Sequence, residues 1–546
     1  MKALLLILFY SVSAWSVVDM RNANYAQTWT DLQVPGTGYD LKITRTYNSK
    51  SLFDGMFGYG WCSDWETKLD FTAEGNIKVT ECGAGAELFF TPREFGKKEI
   101  DDTIAKIIEK VKQAKKADEK SIQELAAEMV SDHNLRAKFA YSYKVAIPVK
   151  EGTTFYANGS EVERITLSKG LYTRYMADGS YAKFDKEGRL LNFFDKNGNF
   201  LKLDYDKGNL TEVVDNNGRR LTFKYYPNKK VKSVNGPNNL NSEYKYSNLD
   251  DLSNVKNAWG NNFNYTYDDT HNLTGIGYPD KTTVAITYDK KNDWVTSFVD
   301  RDKCKEDYTY EFNEKNPQMH YWSTVKKTCN KEVTTEARYE FWYGERKDGQ
   351  VYLQKALTKV NGNSTEITYH DTFGKPTSLK RNSEGFVFEY YPNGLVKTKT
   401  TPRLKMSYKY NNELNKVSEV FSQSYDEAGK PLGTKKSVFR YDKKGNMVYA
   451  ENSDGQKINM SYDIKGRVAT ILDHTKKTVK IQYEEKYGKP QIVSRPGLGS
   501  ISISYKQNGE MDKVNSPEGP SVALQVASTF NNYLDVMQPA LQEIYN

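Results

Sequence analysis

The stretch FDKEGRLLNFFDKNGNFLKLDYDKGNLTEVVDNNGRRLTFKYYPN, Phe184 to Asn228, decides the fold. Turn signals fall at Asp185-Lys-Glu-Gly188, Asp195-Lys-Asn-Gly198, Asp206-Lys-Gly208 and Asp215-Asn-Asn-Gly218, one about every ten residues. An Asp opening such a turn accepts hydrogen bonds from backbone N–H groups two residues on. The closing glycine, Gly188, Gly198 or Gly218, supplies a positive φ that a side chain would resist. Between turns, Leu190, Leu191, Phe193 and Phe194, then Phe200, Leu201, Leu203 and Tyr205, suit a pleated, half-buried surface rather than a helix. Two strands and two turns make one β-hairpin unit of about twenty-one residues.

The unit keeps time along the chain. Aromatic residues recur at one point of it, at Phe184, Tyr205, Tyr225, Tyr246, Tyr267 and Tyr288. A step of similar length reaches Tyr310, and after two longer steps through Tyr339 they continue at Tyr369, Tyr390, Tyr410, Tyr441, Tyr462, Tyr483 and Tyr505. The longer steps hold extended hairpins, one from Cys304 to Cys329 and one around Ser422 to Thr434. Spacing itself implies a stack of hairpins, each burying a face against its neighbours as solenoids do. The recurring aromatics are expected to stack as ladders, each cross-strand contact contributing about 0.2–1 kcal/mol. A chain of 546 residues with 40 Tyr, 37 Gly and only 16 Pro fits such an extended β architecture.

Residues 1–16 read as a secretory signal peptide: a basic Met1-Lys2, an apolar run from Ala3 to Tyr10, and small residues near Ala14. That run is shorter than the roughly twenty residues a spanning helix needs, and no later segment is apolar enough to span. The mature protein is therefore expected outside the cytoplasm, as a periplasmic, surface or secreted chain. Cysteine usage agrees with an oxidising compartment. Cys62, Cys82, Cys304 and Cys329 allow three connectivities, of which Cys62 with Cys82 and Cys304 with Cys329, each across a local hairpin, are favoured over the others and over free thiols. A net charge of +8, dispersed along the chain, is too weak for a nucleic-acid footprint.

Residues 17–92 are β-rich outside the repeat, with Arg45-Thr-Tyr-Asn-Ser49 followed by Phe57-Gly-Tyr-Gly-Trp61. Such a module would cap the array's exposed first edge. Residues 93–140 switch to helical periodicity, with Ile100, Ile104, Ile107, Ile108 and Val111 on one face. Ser121-Ile-Gln-Glu124 is a capping-box pattern that would start a second helix, giving a helical hairpin packed on the β body, with a lid or docking arm as the alternative. Residues 141–515 carry the array. Residues 516–546, with apolar positions from Val522 to Ile544, read as a C-terminal helical plug or a docking peptide.

Tyr441-Asp-Lys-Lys-Gly-Asn446, Tyr462-Asp-Ile-Lys-Gly-Arg467 and Phe184-Asp-Lys-Glu-Gly-Arg189, together with the RTYNS and FGYGW elements, resemble the Rhs/YD-repeat family of bacterial proteins over most of the mature chain. That resemblance implies a mainly β fold, a spiralling array of β-hairpins forming a hollow or partly open shell, with a small α-helical insert and a C-terminal helix. A closed shell, a half-open cup and a pair of chains remain the alternatives. Toxin-bearing relatives end the shell at a DPxGL-type cleavage motif, and the nearest stretch here, Asn515-Ser-Pro-Glu-Gly519, lacks its aspartate and leucine.

No catalytic constellation emerges from the sequence. His133, His271, His320, His370 and His474 lie far apart, without a metal-ligand spacing, and His370 and His474 sit where turns are expected. There is no nucleophile elbow or P-loop. The expectation is a protein without cofactor, metal or enzymatic activity. It would be an exported envelope or surface scaffold enclosing a peptide, or a binder of glycans or a protein partner through exposed aromatics. A third reading is a toxin-carrier relative whose cargo is separate or lost. The oligomeric state stays open.

Overall fold

The structure, a computed structural model, describes residues 18–83, 85–114, 118–157, 160–346, 351–382, 384–506, 509–517, 519, 523–524, 526–529 and 536. The expected signal peptide and most of the expected C-terminal plug, including Val522, Phe530, Leu534, Met537, Leu541 and Ile544, lie outside the described residues.

The Asp-x-x-Gly turns form as their chemistry dictates. Asp185 Oδ1 accepts Glu187 N at 3.0 Å and Arg189 N at 2.8 Å, while Gly188, at φ 85°, donates to the Asp185 carbonyl at 3.0 Å. Asp195 with Gly198, and Asp215 with Gly218, repeat the arrangement. Each turn joins strands of about five to seven residues, such as Leu190–Phe194, Phe200–Asp206 and Asn209–Asp215, paired antiparallel with the next in sequence. The result is one ribbon of 36 strands from Lys68–Phe71 to Met511–Asn515. It is a mainly β, spiralling hairpin array.

Most of the recurring aromatics sit at a register shift; Tyr310 and Tyr339, in the long strands, do not. At Tyr205, Asp204 faces Glu212 but Tyr205 faces Leu210, so Thr211 has no opposite number. The same irregularity recurs at Phe184, Tyr225, Tyr246, Tyr267, Tyr288, Tyr369, Tyr390, Tyr410, Tyr441, Tyr462, Tyr483 and Tyr505. A bulge bends its strand and increases local twist. Repeated at most hairpins, it coils the ribbon.

Most of the repeat tyrosine hydroxyls then pin their strand to the preceding hairpin. Tyr205 donates to the Leu190 carbonyl, Tyr225 to Leu210, Tyr246 to Val231, Tyr267 to Leu252, Tyr288 to Leu273 and Tyr310 to Val295, at 2.7–3.1 Å. Tyr390, Tyr410, Tyr441, Tyr462, Tyr483 and Tyr505 do the same to Pro376, Val396, Val417, Met447, Val468 and Pro490, at 2.5–2.9 Å. Burial raises the hydroxyl pKa of Tyr205 and Tyr225, and that of Tyr390 to about 12, so these donors stay protonated. The expected stacking ladder is corrected here. From Tyr205 to Tyr310 no ring contact links consecutive repeat tyrosines, because a repeat's width separates them and the hydroxyl bridges it through a carbonyl.

Two further expectations change. Strands Lys68–Phe71, Ile77–Thr80 and Glu87–Thr91 belong to the ribbon itself, with Thr91 opposite Tyr156, so the 17–92 stretch is divided between ribbon and an inner sheet. The helical insert, which interrupts the Thr91 to Thr154 connection, holds three helices rather than a hairpin: α1 Lys97–Gln113, α2 Glu119–Ser131 and α3 His133–Ser142. α2 starts before Ser121, because Asp118 upstream accepts Ser121 N at 2.9 Å and outcompetes the expected box.

Replacing Tyr225 with Phe removes one hydroxyl and leaves the buried Leu210 carbonyl without that donor. The Tyr225→Phe protein should lose about 1 kcal/mol locally. Hydrogen exchange read by mass spectrometry checks this: amides of Asn209–Tyr225 exchange faster, and those of the strand Val351–Val360 do not.

Candidate functional site: the plugged concave face and its seam

Along each strand the residues alternate between the two faces of the wall. In Asn241–Tyr246, Ser242 and Tyr244 are buried while Glu243 and Lys245 are exposed. The buried face carries the repeat tyrosines, and a second sheet covers it. That sheet comprises Val18–Asp19, Asn24–Val34, Leu41–Asn48 and Trp61–Ser63. Its contacts run from Phe193, whose ring lies 6.5 Å from that of Tyr39, to Ser323, whose hydroxyl donates to the Met20 carbonyl at 2.6 Å. The strands between those points would stretch on the order of 60 Å if laid flat. One small sheet touches them all because the wall curves around it, so the tyrosine face is concave. The expected edge cap is thus an inner plug.

The plug is anchored by a buried charge. Arg45 and Asp31, 0% and 1% exposed in their side chains, pair through Nε and Oδ2 at 2.6 Å. The wall completes the cluster: Arg45 Nη2 donates to the Tyr265 hydroxyl at 2.7 Å, and the Tyr244 hydroxyl to Asp31 Oδ2 at 3.1 Å. The guanidinium lies 4.4 Å from the Trp61 ring centroid and 5.2 Å from that of Tyr265. Trp61 Nε1 donates to the Tyr267 hydroxyl at 2.8 Å, and Leu273 N to the Tyr47 hydroxyl at 2.9 Å. Truncating one member of such a pair costs about 3–5 kcal/mol, since the other charge is left buried alone. The disulfide Cys62–Cys82 ties the plug's last strand to the start of the ribbon. Cys304–Cys329 closes the end of the long hairpin Lys305–Phe312 and His320–Cys329.

The coil closes rim to rim. Lys196 Nζ donates to the Gly445 carbonyl at 2.9 Å, Asn446 Nδ2 to Asn197 Oδ1 at 2.8 Å, and Asn199 Nδ2 to the Lys465 carbonyl at 2.9 Å. These partners are 249, 249 and 266 residues apart. The turns following Tyr441 and Tyr462 on one rim therefore meet the turns at Asp195 on the other, roughly a dozen repeats later. The plug's loop from Pro35 to Asp40 enters this seam. Arg219 Nη1 reaches the Pro35 carbonyl at 2.5 Å and the Lys486 carbonyl at 3.1 Å, Thr37 packs on Gly488, and Pro35 on Gly509. At the ribbon's start, Lys68 bridges Arg189 and Leu69 N donates to the Gly188 carbonyl at 2.8 Å.

Residues 413–545 match the family described as Teneurin YD-shell, and residues 16–90 a domain of unknown function, DUF6531. The fold is a YD-repeat, Rhs-like β-shell. Among curated proteins, tRNA nuclease WapA of Bacillus subtilis (strain 168) is 24% identical over 277 residues, covering 43% of this chain and 12% of the relative. tRNA3(Ser)-specific nuclease WapA of Bacillus spizizenii is 34% identical over 74 residues, covering 12% of this chain and 3% of the relative. Among solved structures, a TcdB2-TccC3-TEV crystal structure covers 90% of this chain and 28% of its own, at 11% identity and a TM-score of 0.43. A Photorhabdus luminescens Tc holotoxin pore structure covers 88% and 31%, at 10% identity and a TM-score of 0.30. The shell described here thus spans a small part of its curated relatives' length.

The sequence-flagged residues are framework. Phe184 and the repeat tyrosines line the wall, and Gly188 abuts Leu69 at the closure. The histidines are not brought together: His271 pairs with Asp251 at 2.7 Å, His320 with Glu340 at 2.8 Å, and His370 Nδ1 accepts Thr372 N at 3.1 Å in its turn. Arg45 and Asp31 were not singled out by sequence reasoning. The available signal was an isolated charge of each sign among the apolar residues of two alternating strands.

The seam is testable with two glycines of similar φ. Gly488, at φ 67°, would place a Cβ 2.0 Å from Thr37 Oγ1, whereas Gly429, at φ 80°, has nothing within 4 Å. Both alanine variants carry backbone strain of about 1–2 kcal/mol. Gly488→Ala should lower the melting temperature well beyond Gly429→Ala, and it alone should enlarge the radius of gyration in small-angle scattering.

Proposed function

We propose that this chain is an exported, non-enzymatic β-shell that acts as an envelope or surface scaffold and shields the polypeptide on its concave face. The observation that carries this reading is the buried plug: Tyr25, Leu32, Leu41, Ile43, Trp61 and Arg45 are at 0% exposure against the wall. A surface spent on enclosing the chain's own segment is a container, and its remaining faces are a solvated exterior. Export is supported by the signal-like residues 1–16 and by two disulfides, which persist in oxidising compartments.

A second reading, a carrier relative of toxin-delivery proteins, is favoured by the similarity to the WapA nucleases. In that reading the shell's interior holds cargo encoded separately or lost, and the shell contributes protection without chemistry.

Limited trypsin digestion of the exported protein tests the enclosure. The plug's Arg45, fully buried, should survive while the insert's exposed lysines, such as Lys98 and Lys120, are cut first. Early cleavage at Arg45 would refute enclosure. Intact mass of the same sample separates the readings: one species beginning near residue 17 fits the scaffold, and a second polypeptide co-purifying inside fits the carrier.

A further inference from the structure

The helical insert meets the wall through polar side chains. Arg136 of α3, its side chain 7% exposed, pairs with Glu74 at 2.7 Å, and Asp132 caps α3 by accepting Leu135 N at 2.9 Å. Beside them lies a trio drawn from three elements. Lys78, on the strand Ile77–Thr80, is a buried lysine of the wall, 7% exposed, with Phe89 directly opposite it in the ladder. Its Nζ is 2.7 Å from Glu87 Oε1 on the next strand and 3.2 Å from Asn134 Oδ1 near the start of α3.

An amine held against a side-chain amide, with a carboxylate on the amine, is the set of groups that acyl transfer to nitrogen requires. The amine is the nucleophile, the amide carbon the electrophile, and the carboxylate carries the proton. Fixing them in contact makes the step intramolecular, for which effective molarities reach about 10⁵–10⁸ M. His133 leaves Glu87 to Lys78. Its Nε2 lies 3.4 Å from Glu87 Oε2 and makes no hydrogen bond. Burial, with Lys78 beside it, pushes its pKa down and keeps the ring neutral. Asn134 is exposed on a cleft that it lines together with Lys78, which gives a leaving ammonia its way out.

We propose that Lys78 and Asn134 join in an intramolecular isopeptide bond that fastens the helical insert to the wall. Glu87 takes a proton from the Lys78 ammonium, whose freed lone pair attacks Asn134 Cγ. Glu87 returns that proton to Nδ2 and takes a second one from Nζ as the Cγ–Nδ2 bond breaks. The departing ammonia carries this second proton away as ammonium. One amide is exchanged for another, so no oxidant or other reactant is consumed and Glu87 ends as it began. The inference is independent of what the concave face encloses.

The test is a tryptic map of the full chain after reduction and alkylation, read by mass spectrometry. Trypsin does not cut at an acylated lysine. The bond therefore appears as a branched peptide joining Leu69–Arg93 to Ser121–Arg136, lighter than the two together by one ammonia. Lys78→Arg and Asn134→Ala should abolish it. Glu87→Gln, which keeps the side chain's size but cannot carry the proton, should slow its formation about 100-fold or more. Lys465 provides an internal comparison: it lies 2.6 Å from Glu485 and 3.5 Å from Asn217, but it is 24% exposed beside a carboxylate 74% exposed, and it should stay free. The wild-type map decides by itself. The proposal is overturned if trypsin cuts at Lys78 and the two peptides appear unjoined, if Glu87→Gln forms the link at the wild-type rate, or if Lys465 is joined to Asn217 while Lys78 is free.

Discussion

The shell depends on one repeated hydrogen bond, from a tyrosine hydroxyl to the carbonyl at the start of the preceding hairpin's second strand. Alone it is worth about 1 kcal/mol. Its importance is geometric. The bulge beside most of the tyrosines bends their hairpins alike, and the hydroxyl stops that bend from relaxing; Tyr310 and Tyr339, in the long strands, lack it. Accumulated from Tyr205 to Tyr505, these bends bring turns 249 residues apart into hydrogen-bonding contact. A flat or irregularly twisted ribbon would leave Lys196 and Gly445 on separate rims. Phe184, fully buried but without a hydroxyl, stands at the array's start, where the Lys68 to Arg189 bridge holds the register instead.

The plug and the wall solve each other's problem. A coiled ribbon has a concave face rich in tyrosine and aliphatic side chains, and the four-stranded sheet has an aromatic face that must be taken out of water. Packed together they form one core from Val18 to Phe341 joined by Tyr487, while the wall from Val396 to Ile471 has a core of its own. The Arg45 and Asp31 pair gives this contact a unique register, since each charge meets its partners, Tyr265 and Tyr244, at one position only. The first edge of the ribbon, a liability in any open sheet, is met by the Arg189 turn. The helical insert grows from the connection between Glu87–Thr91 and Thr154–Ala157.

Much of this was legible in the sequence because it is local. The Asp-x-x-Gly turns bind their own backbone within four residues, so Asp185 and Gly188 announce their geometry without reference to the rest of the chain. The strand period and the cysteine pairs across hairpins follow for the same reason. The role of the tyrosines was half legible. Their spacing marks the repeat, but the near-exclusive use of Tyr over Phe at that point was the unread sign of a hydroxyl at work. The plug and the seam were hidden, because no periodicity in the chain specifies that Asn197 meets Asn446 or that Thr37 meets Gly488. The insert's third helix was missed for a smaller reason: Asp132 caps it directly after α2 ends, so the two read as one.

The central claim is that successive windings touch along one seam within a single chain. The most direct measurement is disulfide trapping of Asn197→Cys with Asn446→Cys, positions whose native side chains are 2.8 Å apart. Mild oxidation should link them intramolecularly in nearly all molecules, seen as a faster non-reducing gel band and a cross-linked peptide by mass spectrometry. Free thiols after oxidation, or a dimer as the main product, would mean the rims do not meet and the shell is open.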